Sequence, residues 1–142
     1  MTRHFIDFEG RWLISRRIED AKAGSSGSFD GVASFSPDGE GGFCYEEVGE
    51  LRLPAGPNGP TAMQATRRYL WKADPDGVRV LFEDGRDFHR INLAQDTATG
   101  FHHCPPDDYE VSYNFSRWPN WRATWQVRGP RKDYMMITDY RR

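Results

Sequence analysis

Turn-forming residues interrupt this chain at short, regular intervals, and the segments between them are rich in aromatic and β-branched residues. Pro37-Asp38-Gly39, residues 74–77 and Asp84-Gly85 have the composition of tight turns between strands. A spacing of about 8–12 residues per strand is typical of an all-β barrel or sandwich. The pattern predicts about ten strands. They cover Trp12–Asp20, Phe29–Ser36, Phe43–Leu53, Thr66–Ala73, Val78–Glu83, Arg86–Leu93, Phe101–Cys104, Tyr109–Phe115, Trp121–Val127 and Tyr134–Tyr140.

Two segments, residues 109–116 and 121–128, alternate apolar and polar side chains most regularly. Each should place one face against a core and the other in water. Strands joined by short turns pair antiparallel, and closing such a sheet into a barrel removes the edges that would promote aggregation. A parallel α/β sheet is excluded because it needs helical crossovers. The sequence therefore predicts an antiparallel, up-and-down β-barrel of about ten strands.

Two other segments complete the predicted organisation. A short N-terminal helix is capped by Thr2, presents Phe5 and Phe8 on one face, and ends at Gly10. Residues 54–60 contain three prolines and two glycines, so we expect an exposed, mobile loop that forms no strand hydrogen bonds. We expect one domain over residues 1–142.

Composition restricts the possible partners. The chain carries 19 basic and 21 acidic side chains, so bulk positive charge does not favour nucleic-acid binding. Aromatic residues make up 14% of the chain and can supply a core with few but large side chains. No apolar run is long enough for a membrane span or a secretory signal, so we expect a cytoplasmic protein without a membrane partner. Cys44 and Cys104 are expected to be reduced.

The Asp84-Gly85 hairpin predicts which side chains enter the barrel. A two-residue turn would pair Phe82 with Asp87 and Val80 with His89, so both Asp87 and His89 should point inward. Asp87 could then orient the imidazole of His89 as a base, a donor or a metal ligand. A three-residue turn would shift this register by one residue. His89 could equally be a buried histidine without a functional role.

Other polar clusters give weaker signals. His102 and Cys104 share one strand face, but the chain offers no second His/Cys pair with zinc spacing, so neither a metal site nor a cofactor is predicted. A haem needs only one axial histidine, and His89 or His102 leaves that possibility open. Glu46, Glu47 and Glu50 alternate along one strand and are interpreted as a solvated face.

Gly10-Arg11-Trp12, at the start of the first strand, resembles the opening motif of the calycin superfamily. In lipocalins the Trp closes one end of the barrel, and an Arg near the chain end packs on it. The resemblance implies these roles for Trp12 and for Arg141 or Arg142. A count of about ten strands resembles the barrels of the fatty-acid-binding proteins and the haem-binding nitrobindins.

A longer set of segments resembles a bacterial, single-domain family of unknown function. The similarity spans nearly the whole chain and implies no activity. The segments are Phe8-Glu9-Gly10-Arg11-Trp12, Phe82-Glu83-Asp84-Gly85-Arg86 with Phe88-His89, Tyr113-Asn114-Phe115 and Gly129-Pro130-Arg131-Lys132-Asp133-Tyr134.

We therefore expect a calycin-like barrel whose cavity binds a small, largely apolar molecule with a polar or anionic end. Tyr113 and Trp125 should form part of the wall, with His89 and His102 as polar anchors. Arg16 joins them if the face carrying Trp12, Ile14 and Ile18 points inward.

Two alternatives belong to other classes. The first is an enzyme that uses Asp87 and His89 as a general base on a small carbonyl or ester. The second is a filled barrel that acts as an interaction module through residues 54–60 and the Trp118/Trp121 surface. The second predicts no ligand-sized cavity and allows a homodimer.

Overall fold

The computed structural model describes residues 3–142, with the backbone alone at positions 55 and 56. A 3-10 helix, η1 (Phe5–Phe8), precedes ten strands in one antiparallel sheet. The strands are β1 (Gly10–Asp20), β2 (Ser25–Pro37), β3 (Phe43–Gly56), β4 (Gly59–Asp74), β5 (Gly77–Phe82), β6 (Asp87–Asn92), β7 (Thr97–Cys104), β8 (Asp107–Arg117), β9 (Asn120–Arg128) and β10 (Asp133–Arg141). All ten predicted strands are confirmed.

The sheet is an up-and-down barrel that is nearly closed. Each strand pairs with its sequence neighbours except that β6 does not pair with β7, and β1 pairs with β10. β6 and β7 are therefore the two ends of the hydrogen-bonded order, on either side of a gap. Gly100 on β7 lies close to β6, because a Cβ there would stand 3.3 Å from the Arg90 carbonyl oxygen. The absence of a side chain at Gly100 lets the two strands approach without pairing.

One end of the barrel is closed by aromatic rings. The Phe8 ring at the end of η1 lies 5.4 Å from that of Trp121 and 4.9 Å from that of Trp118. The Trp12 indole donates a hydrogen bond to the Phe8 carbonyl at 2.9 Å, and Arg142 stacks on the Trp12 ring at 3.8 Å. These roles of Trp12 and Arg142 are those implied by the calycin resemblance. Trp121 is buried, so the predicted Trp118/Trp121 surface does not exist.

Two local predictions are wrong. Residues 54–60 do not form a loop without strand hydrogen bonds: β3 continues to Gly56, β4 begins at Gly59, and the register shifts between Leu53 and Gly56. Pro54 is tolerated because it falls within this irregularity. The predicted N-terminal helix is a single 3-10 turn whose cap is His4. Thr2, the predicted cap, lies outside the described residues.

The open end of the barrel is therefore the end opposite η1, where the β1–β2, β3–β4, β5–β6, β7–β8 and β9–β10 turns lie. No helix within residues 3–142 is both long and apolar enough to span a membrane. Cys44 and Cys104 are exposed and free.

Candidate functional site

A cavity of about 310 Å³ lies at the open end of the barrel, and we call it the mouth cavity. Aromatic rings from β4, β5, β6, β8, β9 and β10 form most of its wall, and two arginines reach it. It is lined by Arg67, Tyr69, Phe82, Arg86, Phe88, Cys104, Tyr109, Trp125, Tyr134 and Met136. Near its open end, the barrel is therefore not filled by its own side chains.

A second cavity of about 150 Å³, the inner cavity, lies beside the first. It shares Arg67 and Met136 with the mouth cavity, so the two spaces adjoin. Its lining is Arg16, Ile18, Phe29, Glu47, Leu51, Ala65, Thr66, Arg67 and Met136.

A buried ion pair lies at the wall of the inner cavity. The Arg16 guanidinium donates to both carboxylate oxygens of Glu47, at 3.0 and 2.6 Å, and its Nε donates to the Thr138 hydroxyl at 2.7 Å. The Tyr45 hydroxyl donates to Glu47 at 2.5 Å and lies 2.7 Å from the Tyr140 hydroxyl. Every polar atom of the Arg16 side chain is thus engaged.

Burial opposes ionisation of both partners, but each charge stabilises the other. Desolvation alone would lower the pKa of Arg16, yet Glu47 raises it above the ordinary arginine range. Desolvation alone would raise the pKa of Glu47, and the charge and hydrogen bonds of Arg16 hold it below its usual value. Burial also raises the pKa of Tyr45. At neutral pH the cavity wall therefore carries a neutralised ion pair and un-ionised tyrosines.

Glu47 was not predicted as a site residue, and its assignment to a solvated face is wrong. It is 3% exposed, whereas Glu46 and Glu50 form surface pairs with Arg68 and Arg52. The alternation of β3 contained the signal, since Phe43, Tyr45 and Glu47 occupy alternate positions and share the inner face. The condition set for Arg16 is met, because Trp12 and Ile14 are buried with it inside the barrel.

His89 lies inside the barrel, as predicted, and is held by Tyr113. Its Nε2 lies 2.8 Å from the Tyr113 hydroxyl, and its Nδ1 is buried without a hydrogen-bond partner among the described residues. Burial, with a smaller contribution from the charge of His102, lowers the pKa of His89 to about 3. The imidazole is therefore neutral at physiological pH.

The prediction that Asp87 points into the barrel is wrong. Its side chain is 83% exposed and pairs with Arg79 at 3.0 Å. The turn has three residues rather than two, since the Phe82 amide donates to the Arg86 carbonyl at 2.8 Å and Gly85 adopts a φ of +91°. A compensating bulge at Phe88 restores the predicted pairing of Val80 with His89. Asp87 therefore cannot orient His89.

Trp125 and His102 both contact the Phe88 ring. Trp125 stacks on Phe88 with ring centroids 5.1 Å apart and lines the mouth cavity. His102 contacts the rings of Phe82 and Phe88 edge-on, at 5.5 and 5.4 Å, is half-buried, and lines neither cavity. Of the predicted site residues, Arg16 and Trp125 line the cavities, while His89, His102 and Tyr113 lie in the surrounding packing.

Arg67 is a second site residue that sequence reasoning missed. It lies opposite Glu47 in the β3–β4 pairing and lines both cavities. A single arginine in an exposed, mixed-charge strand gives no distinctive signal by itself. Within residues 3–142, no group of three or more His, Cys, Asp or Glu side chains is arranged to hold a metal ion.

Residues 8–142 match the model of a family described as a Family of unknown function (DUF6314). No curated protein matches this sequence. Among solved structures, the chain is similar to the S-type phycobiliprotein lyase CPES from Guillardia theta, with a TM-score of 0.58 and 10% identity, over 96% of this chain and 87% of that chain. At this identity the likeness shows the fold alone.

Proposed function

The chain belongs to the family of unknown function DUF6314, and from its own geometry we propose that it binds a small, largely apolar molecule with an anionic or polar end inside the barrel. The observation that carries this proposal is the mouth cavity, a space of about 310 Å³ with aromatic walls that the barrel does not fill. Ligand cavities of about 300–1,000 Å³, mostly apolar with a few placed polar groups, are typical of small-molecule sites.

The aromatic part of the lining fits the apolar part of such a ligand, and the arginines fit its polar end. Tyr69, Phe88 and Trp125 present ring surface, while their polar atoms are few. A ligand that buries about 200 Å² of apolar surface gains roughly 5 kcal/mol. Association costs of about 4 kcal/mol or more consume most of that gain. Affinity better than millimolar therefore requires a polar contact in addition to the rings.

Two alternative functions lose their structural basis. An enzyme that uses Asp87 and His89 as a general base needs the two side chains in contact, and Asp87 is on the outer wall. The interaction module required a Trp118/Trp121 surface, and these rings pack at the closed end of the barrel. Homodimer formation stays a prediction. The fold shared with a phycobiliprotein lyase is compatible with a cavity-based role, but the proposal depends on the cavity of this chain.

The proposal is tested by asking whether the cavity retains or accepts a ligand. Native mass spectrometry of the freshly purified protein should reveal a bound small molecule, or thermal-shift measurements should respond to a panel of fatty acids, haem and isoprenoids. Met136→Trp should abolish the response, because Met136 lines both cavities and an indole there would occupy the space where they adjoin. The matched control is Met135→Trp, at an exposed position of the same strand.

A protein that co-purifies with nothing and shows no thermal shift with any member of the panel would contradict the proposal. Equal responses of the Met136→Trp and Met135→Trp variants would also contradict it, since binding would then not depend on the cavities.

A further inference from the structure

The interior charges of the barrel are not balanced. On the inner faces of β1, β3 and β4, Arg16 and Arg67 flank the single carboxylate of Glu47. Arg16 binds that carboxylate at 2.6 and 3.0 Å. Arg67 lies directly across the β3–β4 pairing from Glu47 and lowers its pKa through charge, but their charged atoms are not within ion-pair distance of 4.0 Å. The cavity wall therefore carries one excess positive charge.

Two other cations at the open end, Arg86 and Lys132, already have carboxylate partners. Arg86 pairs with Asp84 at 2.7 Å, and Lys132 pairs with Asp107 at 2.9 Å. Among the residues that the structure describes, no carboxylate lies within ion-pair distance of Arg67. Its guanidinium is exposed to solvent at the position where the two cavities meet.

We propose that Arg67 holds the anionic end of the ligand where the two cavities adjoin, while the aromatic wall of the mouth cavity holds its apolar part. This inference rests on the proposed function and specifies the charge of the ligand's polar end and the residue that binds it. A planar guanidinium that no carboxylate neutralises suits a carboxylate, sulfonate or phosphate, which it can bind through two parallel hydrogen bonds.

The side chains of the inner cavity other than Arg67 are not suited to bind the anionic end of the ligand. The charge of Arg16 is neutralised by Glu47, each of its three nitrogens already donates a hydrogen bond to Glu47 or Thr138, and the Glu47 carboxylate would repel a second anion. His89 is neutral and lies in the packing rather than at a cavity wall. The other inner-cavity side chains are mostly apolar and suit a hydrocarbon end. They are Ile18, Phe29, Leu51, Ala65 and Met136.

Arg67 differs in this respect from the anchors that the sequence predicts. Arg16 is paired with Glu47, His89 is neutral, and His102 lines neither cavity. Of the arginines that line the two cavities, Arg67 is the one without a carboxylate partner among the described residues, and it lies where a ligand head could stay in contact with water. Little of the ligand's charge would then need to be desolvated.

The test compares two fluorescent probes that share one ring system. Anilinonaphthalene sulfonate carries an anion, and phenylnaphthylamine is the same framework without it. Wild type should bind both probes and bind the sulfonate more tightly. Arg67→Gln should weaken sulfonate binding about tenfold and leave phenylnaphthylamine binding within about twofold. Arg67→Lys should keep most of the preference, because it keeps the charge.

Arg68→Gln is the matched control, because Arg68 is the next residue on β4 and pairs with Glu46 at the outer surface. It should leave both affinities unchanged. If both probes bind wild type and Met136→Trp weakens both, but Arg67→Gln changes them equally or not at all, the Arg67 anchor is overturned while the cavity function stands. If Met136→Trp leaves the binding of both probes unchanged, the cavity function and the anchor fall together.

Discussion

Removal of Glu47 should destabilise the barrel far more than removal of its neighbour Glu46. In Glu47→Leu the Arg16 guanidinium, which is 8% exposed, would lose both carboxylate hydrogen bonds and remain charged within the barrel. Breaking a buried pair from one side costs about 3–5 kcal/mol, because a buried charge is left without compensation. This is a large share of the roughly 5–15 kcal/mol by which a domain is stable.

The control, Glu46→Leu, removes a surface partner of Arg68 and should cost at most about 1 kcal/mol. Urea unfolding, followed by tryptophan fluorescence, gives the free energy of unfolding of each variant. The double variant Arg16→Met/Glu47→Leu removes both charges together and should recover most of the loss, since a packed apolar pair can replace a buried ion pair at little cost. The Tyr45 hydroxyl would still have Tyr140 as a partner.

The reasoning is refuted if the effects of the Arg16 and Glu47 substitutions add in the double variant. Additive effects would mean that the two charges do not depend on each other. A Glu47→Leu protein as stable as Glu46→Leu would likewise show that Arg16 is not trapped in the barrel without its partner.

Two further predictions concern the interior and the closed end. The pKa of His89 is about 3 in the folded state and about 6.5 in the unfolded chain, so the unfolded state binds more protons between these values. Acidification from pH 6.5 to pH 3 should therefore lower the free energy of unfolding by up to about 1.4 kcal/mol per pH unit through this group. His89→Gln should remove that contribution. Equal slopes of the free energy of unfolding against pH for the two proteins would contradict it. Arg142→Ala should lower the free energy of unfolding, measured in urea, by about 1 kcal/mol, because it removes the cation stacked on Trp12. Arg141→Ala, at the exposed neighbouring position, should have almost no effect. Equal losses of stability in the two variants would contradict the role of Arg142 in closing the barrel end.

The strands were predictable because burial of one face leaves a period-2 pattern. In β8 and β9 every second side chain contacts the core, and nothing but alternation is needed to place Tyr113 and Trp125 inside. The same pattern placed Arg16 with Trp12 and Ile14. Local sequence is sufficient here because the direction of a side chain follows from its position within one strand.

Errors arose where orientation depended on more than one strand. Glu47 was placed outside because carboxylates are rarely buried, and only the arrival of Arg16 from β1 makes its burial favourable. A two-residue turn would point Asp87 inward, but the turn has one residue more, which points Asp87 outward, while a bulge at Phe88 keeps His89 inside. Arg67 was missed because its excess charge is visible only after Arg16 and Glu47 have paired.

The most direct test of the account is the position at which a small apolar anion binds. Titration of isotope-labelled protein with anilinonaphthalene sulfonate, followed by amide chemical shifts, should give saturable shifts at Tyr69, Phe88 and Trp125, around the mouth cavity. Saturable shifts confined to the exposed apolar side of the barrel, at Leu13 and Val48, would contradict the claim that the barrel interior is the binding site.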